Sequence, residues 1–298
     1  MSQRILVLHF SQSGQLLAGA EALAEPLREA GHEVHLAPIV PARAYPFPWT
    51  VTAFFGMFPE VFLGETEPVQ QVEIPEGPWD LVVVASTIWF LAPSQPWWSF
   101  LHTEQAAELF RGQRVLTLIG CRNMWIRGWR KLVGRLEQLG ATVVDRVVFT
   151  HSGSVFASYF STLAWMLTGK RDAMKALPKA QVDEATLLRV KEIGRALAGR
   201  LDQDGPLLAD QPTHSVSHAH ALGEQLVGRT MFPLQAHIGR LLPRDGLLRG
   251  AFAVWQMVST ISAVLLLVLP LTALRWLLSR WIDPWLEGLA SLPVSRRD

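Results

Sequence analysis

Cysteine is almost absent: Cys121 is the single one in 298 residues. That excludes an internal disulfide framework and suits a reducing compartment. Charge imbalance is also missing, with 27 Lys and Arg against 26 Asp and Glu for a net +1. Without a strong positive field, nucleic acid is not an expected partner. Residues 2–20 lack the basic n-region and cleavage site of a secretory signal, so the N-terminal part is expected in the cytoplasm. His214, His218 and His220 have no cysteine or carboxylate beside them at ligand spacing, so no metal is expected. No lysine follows the glycine of the loop at residues 11–16, which argues against a nucleotide-triphosphate P-loop. Tyrosine occurs twice, yet tryptophan occurs twelve times. The aromatic content is therefore indole and phenyl, placed unevenly.

What is present is organised around residues 4–16. The apolar run Ile5–Leu8 with Phe10 reads as a strand buried on both faces. Leu16, Leu17, Ala20, Leu23, Ala24 and Leu27 form the i, i+3/i+4 stripe of a helix. Between them, Ser11, Gln12, Ser13, Gly14 and Gln15 put hydroxyls and free backbone N–H groups at a helix N-terminus, where a phosphate binds well. An ordinary turn with an N-capping serine fits this loop equally.

Further along, 32–38 reads as a second strand. The proline- and phenylalanine-rich stretch 41–79 reads as an insertion, with a short helix over 52–63. Residues 79–86 form a third strand, 97–110 a helix and 114–120 a fourth strand. A helix runs through Trp129 to Leu139, and 141–150 is the fifth strand. Strands alternating with helices imply a parallel sheet covered on both faces. Residues 152–180 form a second, nearly uncharged insertion, and 183–201 an amphipathic closing helix. The expected organisation is a domain at 1–201, a linker at 202–229 and a helical tail at 230–298.

Ligands of such sheets sit at the carboxyl ends of strands, where the strand order reverses. The loops there carry Ser11–Leu16, then Thr87, Ile88, Trp89 and Phe90, then Gly120, Cys121, Arg122, Asn123 and Trp125. The first loop is expected to hold phosphate, and the other two to clamp a flat heteroaromatic ring. Trp89 is the leading stacking candidate, with Phe90 and Trp125 behind it. One such tryptophan alone reads more readily as core; the agreement of three loops reverses that.

The loop Ser11-Gln12-Ser13-Gly14-Gln15-Leu16 resembles the phosphate loop of flavodoxin-like proteins, departing from it at Leu16, where a threonine is usual. Three stretches further resemble the dialkylresorcinol-condensing enzyme family: His9 through Leu16, Pro46-Phe47-Pro48-Trp49 with the Phe-rich segment after it, and Ile119 through Trp125. Residues 165–170 add a fourth. The resemblance implies a flavodoxin-like, doubly wound five-stranded parallel sheet, plus a hydrophobic helical tail. It also implies FMN as cofactor at those three loops, and oxidative aromatisation of a dialkylcyclohexanedione to a dialkylresorcinol. Condensation would belong to a ketosynthase-type partner, since this chain has no thiolase-type Cys/His pair. For the chemistry, Arg122 and Asn123 are candidates to stabilise an enolate. His9 and His151 are candidate proton acceptors, although a core role for His9 and a solvated one for His151 are the blander readings.

The tail adds a membrane. Residues 251–274 carry no charge, long enough to cross a bilayer. Arg249 and Arg275 bracket the segment, and Trp255, Trp276, Trp281 and Trp285 lie near its ends. Pro270 is expected to kink or end that helix. The expected location is the cytoplasmic face of the inner membrane. The alternative is a helix packed on the domain or on a second copy in a homodimer. An NAD(P)H:quinone reductase or electron carrier of the same fold, and a flavin-free adaptor at the membrane, are the competing functions.

Overall fold

The computed structural model describes residues 2–150, 155–177 and 179–292. Its frame is β1 (Arg4–His9), α1 (Gln15–Glu29), β2 (Glu33–Pro38), β3 (Leu81–Trp89), β5 (Arg114–Cys121), α6 (Ile126–Gln138), β6 (Thr142–Thr150) and α8 (Glu184–Ala198). The parallel strands run in the order β2-β1-β3-β5-β6. This is the flavodoxin-like doubly wound order, which reverses between β1 and β3. The expected fold class holds.

Successive strand residues point to opposite faces, and the core divides accordingly. Ile5, Val7, Val83 and Leu118 pack under α1 and α8. Leu6, Leu8, Val82 and Val84 pack under α6 and two short helices, α4 (Gln95–Phe100) and α5 (Glu104–Phe110), with Trp97 and Trp129 between. A third cluster joins Phe58 and Leu91 to Phe232, Ala236 and Phe252. It seals α2 (Val51–Gly56) and α3 (Phe58–Leu63) to α10 (Met231–Arg240) and α11 (Leu247–Ala290).

Several boundaries differ from expectation for identifiable reasons. The third strand runs on to Trp89 and turns back into a two-residue antiparallel strand, β4 (Ala92–Pro93), giving six strands. The helix expected over 97–110 is two, because Thr103 caps a new start by accepting from the Ala106 N–H. The helix expected over 52–63 is likewise split, at Met57, with Pro59 opening the second piece. Pro270 does not end the tail helix; the one non-helical residue inside α11 is Leu278.

The stretch 202–229 is not a free linker. β6 is an edge strand whose polar groups need partners. Thr213 O accepts the Val148 N–H at 2.7 Å, and an Asp145 carboxylate oxygen accepts the Leu208 N–H at 2.6 Å. Leu207 and Leu208 are buried, and the rest of the stretch becomes α9 (His218–Arg229). The second insertion carries α7 (Val155–Thr168).

Candidate functional site

The loops ending β1, β3 and β5 meet at the switch point around a cavity of about 490 Å³, within the range usual for small-molecule sites. Ser11, Gln12, Ser13, Gln15 and Leu16 line it, as do Thr87, Ile88, Trp89 and Phe90, and Gly120, Cys121, Arg122 and Asn123. Gly14 and Trp125 do not. Gly14 is the N-cap of α1, at φ +80°, a conformation that glycine adopts without strain. Trp125 is buried in the core, 5.6 Å from Trp129 and 5.9 Å from His214. Its position just ahead of α6 turns it beneath the helix instead of toward the cavity.

The first loop behaves as a helix N-terminus held from outside. Ser11 Oγ accepts the Leu17 N–H at 3.1 Å, so one serine is spent on capping. The Ser13 hydroxyl and the N–H groups of Ser13, Gly14, Gln15 and Leu16 have no protein partner among the described residues. Gln12 accepts from Trp49 Nε1 and donates to Pro46 O, both at 3.0 Å. Gln15 donates to Ala180 O at 3.2 Å and accepts the Val182 N–H at 3.1 Å. Both glutamines thus tie the inserted segments down over the loop. Leu16 is almost fully buried beside Gly120, where a Cβ would come 3.0 Å from Leu16 and 2.8 Å from the Phe149 ring. Glycine at 120 is what lets these loops approach.

The second loop is a two-residue hairpin turn at Phe90 and Leu91, with φ of 49° and 63°. Positive φ at both central residues is the pattern normally given to Asn-Gly, and bulky residues there store strain. The turn sets Phe90 4.8 Å from Phe54 and 5.3 Å from Phe58. Trp89 meets Tyr45 edge-on at 5.5 Å and Trp49 at 6.1 Å. Thr87 Oγ1 is buried without a partner.

The third loop places a cation in this aromatic surround. Arg122 lies over the Tyr159 ring at 5.0 Å, and its Nη1 donates to Tyr159 O at 3.3 Å. Its Nε is buried without a partner, and no carboxylate pairs with it among the described residues. Burial lowers its pKa to about 10, so it stays protonated at neutral pH. A desolvated, unpaired guanidinium favours an anion in front of it. Cys121 is pushed well above the usual thiol range by burial, which makes it a poor nucleophile.

The remaining walls come from the two insertions and from the helices that follow residue 217. Phe47, Trp49 and Phe54 of the first insertion, and Trp165 and Met166 of α7, line one side. Ser217, His220, Gly223 and Val227 reach in from α9 and its cap, Met231 and Phe232 from α10, and Thr260, Ala263 and Leu271 from α11. His220 Nδ1 lies 2.5 Å from Ser217 Oγ, its Nε2 has no partner, and burial lowers its pKa, keeping it neutral at pH 7. Ser217 ahead of a helix-forming run was the available signal for this helix start.

One turn on, Glu224 accepts the N–H groups of Ile126 at 3.3 Å and Arg127 at 2.5 Å, at the N-terminus of α6. It pins α9 beside the loop that carries Arg122. Of the candidate proton acceptors, His151 lies outside the described residues. His9 is buried with Nδ1 unpartnered and does not line the cavity, so it belongs to the core.

The donor set suits a phosphorylated flat ring. Orphan N–H groups and a free hydroxyl stand at one end, an orphaned threonine hydroxyl and aromatic faces lie alongside, and an unpaired guanidinium is on the third loop. Among the described residues no group of three His, Cys, Asp or Glu is placed to hold a metal ion.

No family model matches the chain, and no curated protein matches it. Solved structures do. An archaeal flavodoxin aligns at 12% identity and a TM-score of 0.37, over 67% of this chain and 99% of its own. The WrbA-like flavodoxin of Agrobacterium tumefaciens aligns at 13% and 0.38, over 67% and 98%. The two-electron reduced flavodoxin of Megasphaera elsdenii aligns at 15% and 0.29, over 48% and 84%. At TM-scores this low, the fold assignment rests on the strand order. That order and the site at its reversal define a protein of the flavodoxin-like fold class.

Proposed function

We propose that the chain is an FMN-dependent oxidoreductase acting on a lipid-like alkylated ring. By its resemblance to the dialkylresorcinol-condensing enzymes, its reaction would be the oxidative aromatisation of a dialkylcyclohexanedione to a dialkylresorcinol. One observation carries this reading. A single cavity joins a phosphate-type loop and an unpaired arginine to walls of Phe, Trp, Leu and Met supplied by two insertions and the tail. An electron carrier that meets only a protein partner has no use for such an apolar annex.

The Ser13 hydroxyl and the open N–H groups of the first loop would hold the phosphate, and Trp89 with the Thr87–Phe90 segment would flank the ring. When bound, FMN supplies hydride acceptance. The chain supplies the rest. Arg122 would stabilise the oxygen on which negative charge grows as a ring 1,3-dione loses a proton, and Asn123, the next residue in the same cavity loop, would donate to the same oxygen. His220, held by Ser217 and neutral at pH 7, is the cavity's available proton acceptor. The aromatic walls exclude water from the ring and receive the alkyl chains.

The test is a visible absorption spectrum of the purified protein, with release and identification of any chromophore. Anaerobic titration with a 5-alkylcyclohexane-1,3-dione and with NAD(P)H follows. Bound FMN bleached by the dione supports the aromatase. Bleaching by NAD(P)H alone selects a quinone reductase, and a colourless protein that takes up no FMN leaves a flavin-free adaptor.

A further inference from the structure

We propose that the outer face of α10 and α11 docks on the surface of an anionic lipid bilayer. The polarity of α11 is reversed relative to a helix that faces water. In its first half polar side chains turn inward: Gln256 is buried and Thr260 lines the cavity. Its apolar ones turn outward. Leu248, Trp255, Leu266 and Leu277 are all exposed, Leu266 by 70%. Their spacings of 7, 11 and 11 fall close to whole turns and put them in one line. Trp276, 79% exposed, and Trp281 widen the stripe toward its end, and Leu234 and Leu241 of α10 add to it. Monomeric soluble proteins rarely leave so large an apolar area uncovered.

The occupant follows from length and charge. From residue 248 to residue 277 the stripe runs about 44 Å at 1.5 Å per residue, longer than a hydrocarbon core of about 30 Å. Among the described residues no helix is long and apolar enough to cross a membrane. A stripe of this kind lies along an interface. Indoles stand near both ends, at Trp255 and at Trp276 and Trp281, the residue type that settles at headgroup depth. Residues 240–298 carry seven arginines against four Asp and Glu, leaving the rest of the chain at −2. Arg280 stacks on Trp281 at 4.8 Å and makes no ion pair among the described residues, so its charge is free for a lipid phosphate. The opposite side of the same helix lines the cavity through Thr260, Ala263 and Leu271. Only one helix then separates the bilayer from the site.

The experiment is co-sedimentation of the full chain with phosphatidylcholine–phosphatidylglycerol vesicles, beside a variant carrying Trp276→Gln, Leu277→Gln and Trp281→Gln. These side chains are exposed, so the variant should keep its circular dichroism and thermal transition. The native chain should pellet with the vesicles, and the variant's partition coefficient should fall at least about tenfold. Three results would each overturn the proposal. They are no pelleting by the native chain, equal pelleting by the variant, or a dimer in light scattering that the same substitutions convert to monomer. FMN uptake is read separately by absorbance, so a failure here is distinct from a failure of the flavin reading.

Discussion

Removing the Glu60 carboxylate should release the tail from the first insertion. Glu60 and Arg249 are both buried, and Arg249 Nη2 contacts both carboxylate oxygens while Nη1 donates to Gly239 O at 2.6 Å. The pair links α3 to α11 across 189 residues of sequence. In Glu60→Ala the guanidinium keeps one carbonyl and loses its counter-charge inside an apolar cluster. Breaking one side of such a pair costs about 3–5 kcal/mol. Replacing both, as Glu60→Met with Arg249→Met, removes the buried charge as well and should cost far less. Arg244 Nε, 3.7 Å from the Glu60 carboxylate, loses this contact too but keeps its ion pairs with Glu65 and Glu67. The assay is urea unfolding followed by fluorescence and by hydrogen exchange. Amides of α10 and α11 should exchange faster in Glu60→Ala while those of β1, β3 and β5 hold. A loss under about 1 kcal/mol, or a double variant as unstable as the single, would refute the argument.

Four further outcomes follow. Under the proposed function, Ser13→Ala removes a hydroxyl from the first loop and should weaken FMN binding about tenfold in a fluorescence titration, through loss of one hydrogen bond to a charged group. On the same reading, Arg122→Ala should slow flavin reduction by the dione while FMN stays bound; unchanged single-turnover reduction would remove Arg122 from the proposed mechanism. Glu224 is held at a pKa of about 7 by burial, against an ordinary value of 4.5. Folding therefore takes up a proton between those values, and stability attributable to Glu224 is full below about pH 4.5 and lost as pH rises to about 7. The loss is about 3 kcal/mol, and the difference in urea midpoint between the native chain and Glu224→Gln should follow that window. Gly120→Ala should destabilise by about 1–3 kcal/mol, since the added methyl overlaps Phe149; an unchanged thermal midpoint would show that the loops have room to separate.

The sheet was legible because its strands are short apolar runs, each followed by a helical stripe, and that pattern has one economical solution. The three loops were legible because polar and aromatic residues collect at strand ends only where a ligand or a turn needs them. Trp125 misled because a tryptophan just ahead of a helix reads the same whether it faces a cavity or a core. The resemblance to a phosphate loop said nothing of Gln12 and Gln15, whose side chains turn out to hold the insertions. His220 and the α9 wall stayed hidden for another reason. Polar residues after a proline-rich stretch look like a linker until tertiary partners such as the Ile126 and Arg127 N–H groups are known. The outward apolar face of α11 was visible as hydrophobicity, but its inward polar line, Gln256 to Thr260, became meaningful only with the cavity behind it.

The order in which the cavity's parts occur along the chain bears on how the protein is assembled. All five parallel strands and the three cavity loops that end β1, β3 and β5 lie within residues 4–150, whereas another wall comes from α9, α10 and α11, after residue 217. A chain emerging from the ribosome therefore has a finished sheet with an open crevice before its roof has been synthesised. A cofactor can settle into that crevice from the open side and be enclosed when the Glu60–Arg249 and Glu224 contacts form. Release would then follow the undocking of the roof while the sheet stays folded. Under the proposed function, retention of FMN is thus tied to the docking of α9, α10 and α11 more than to the stability of the sheet.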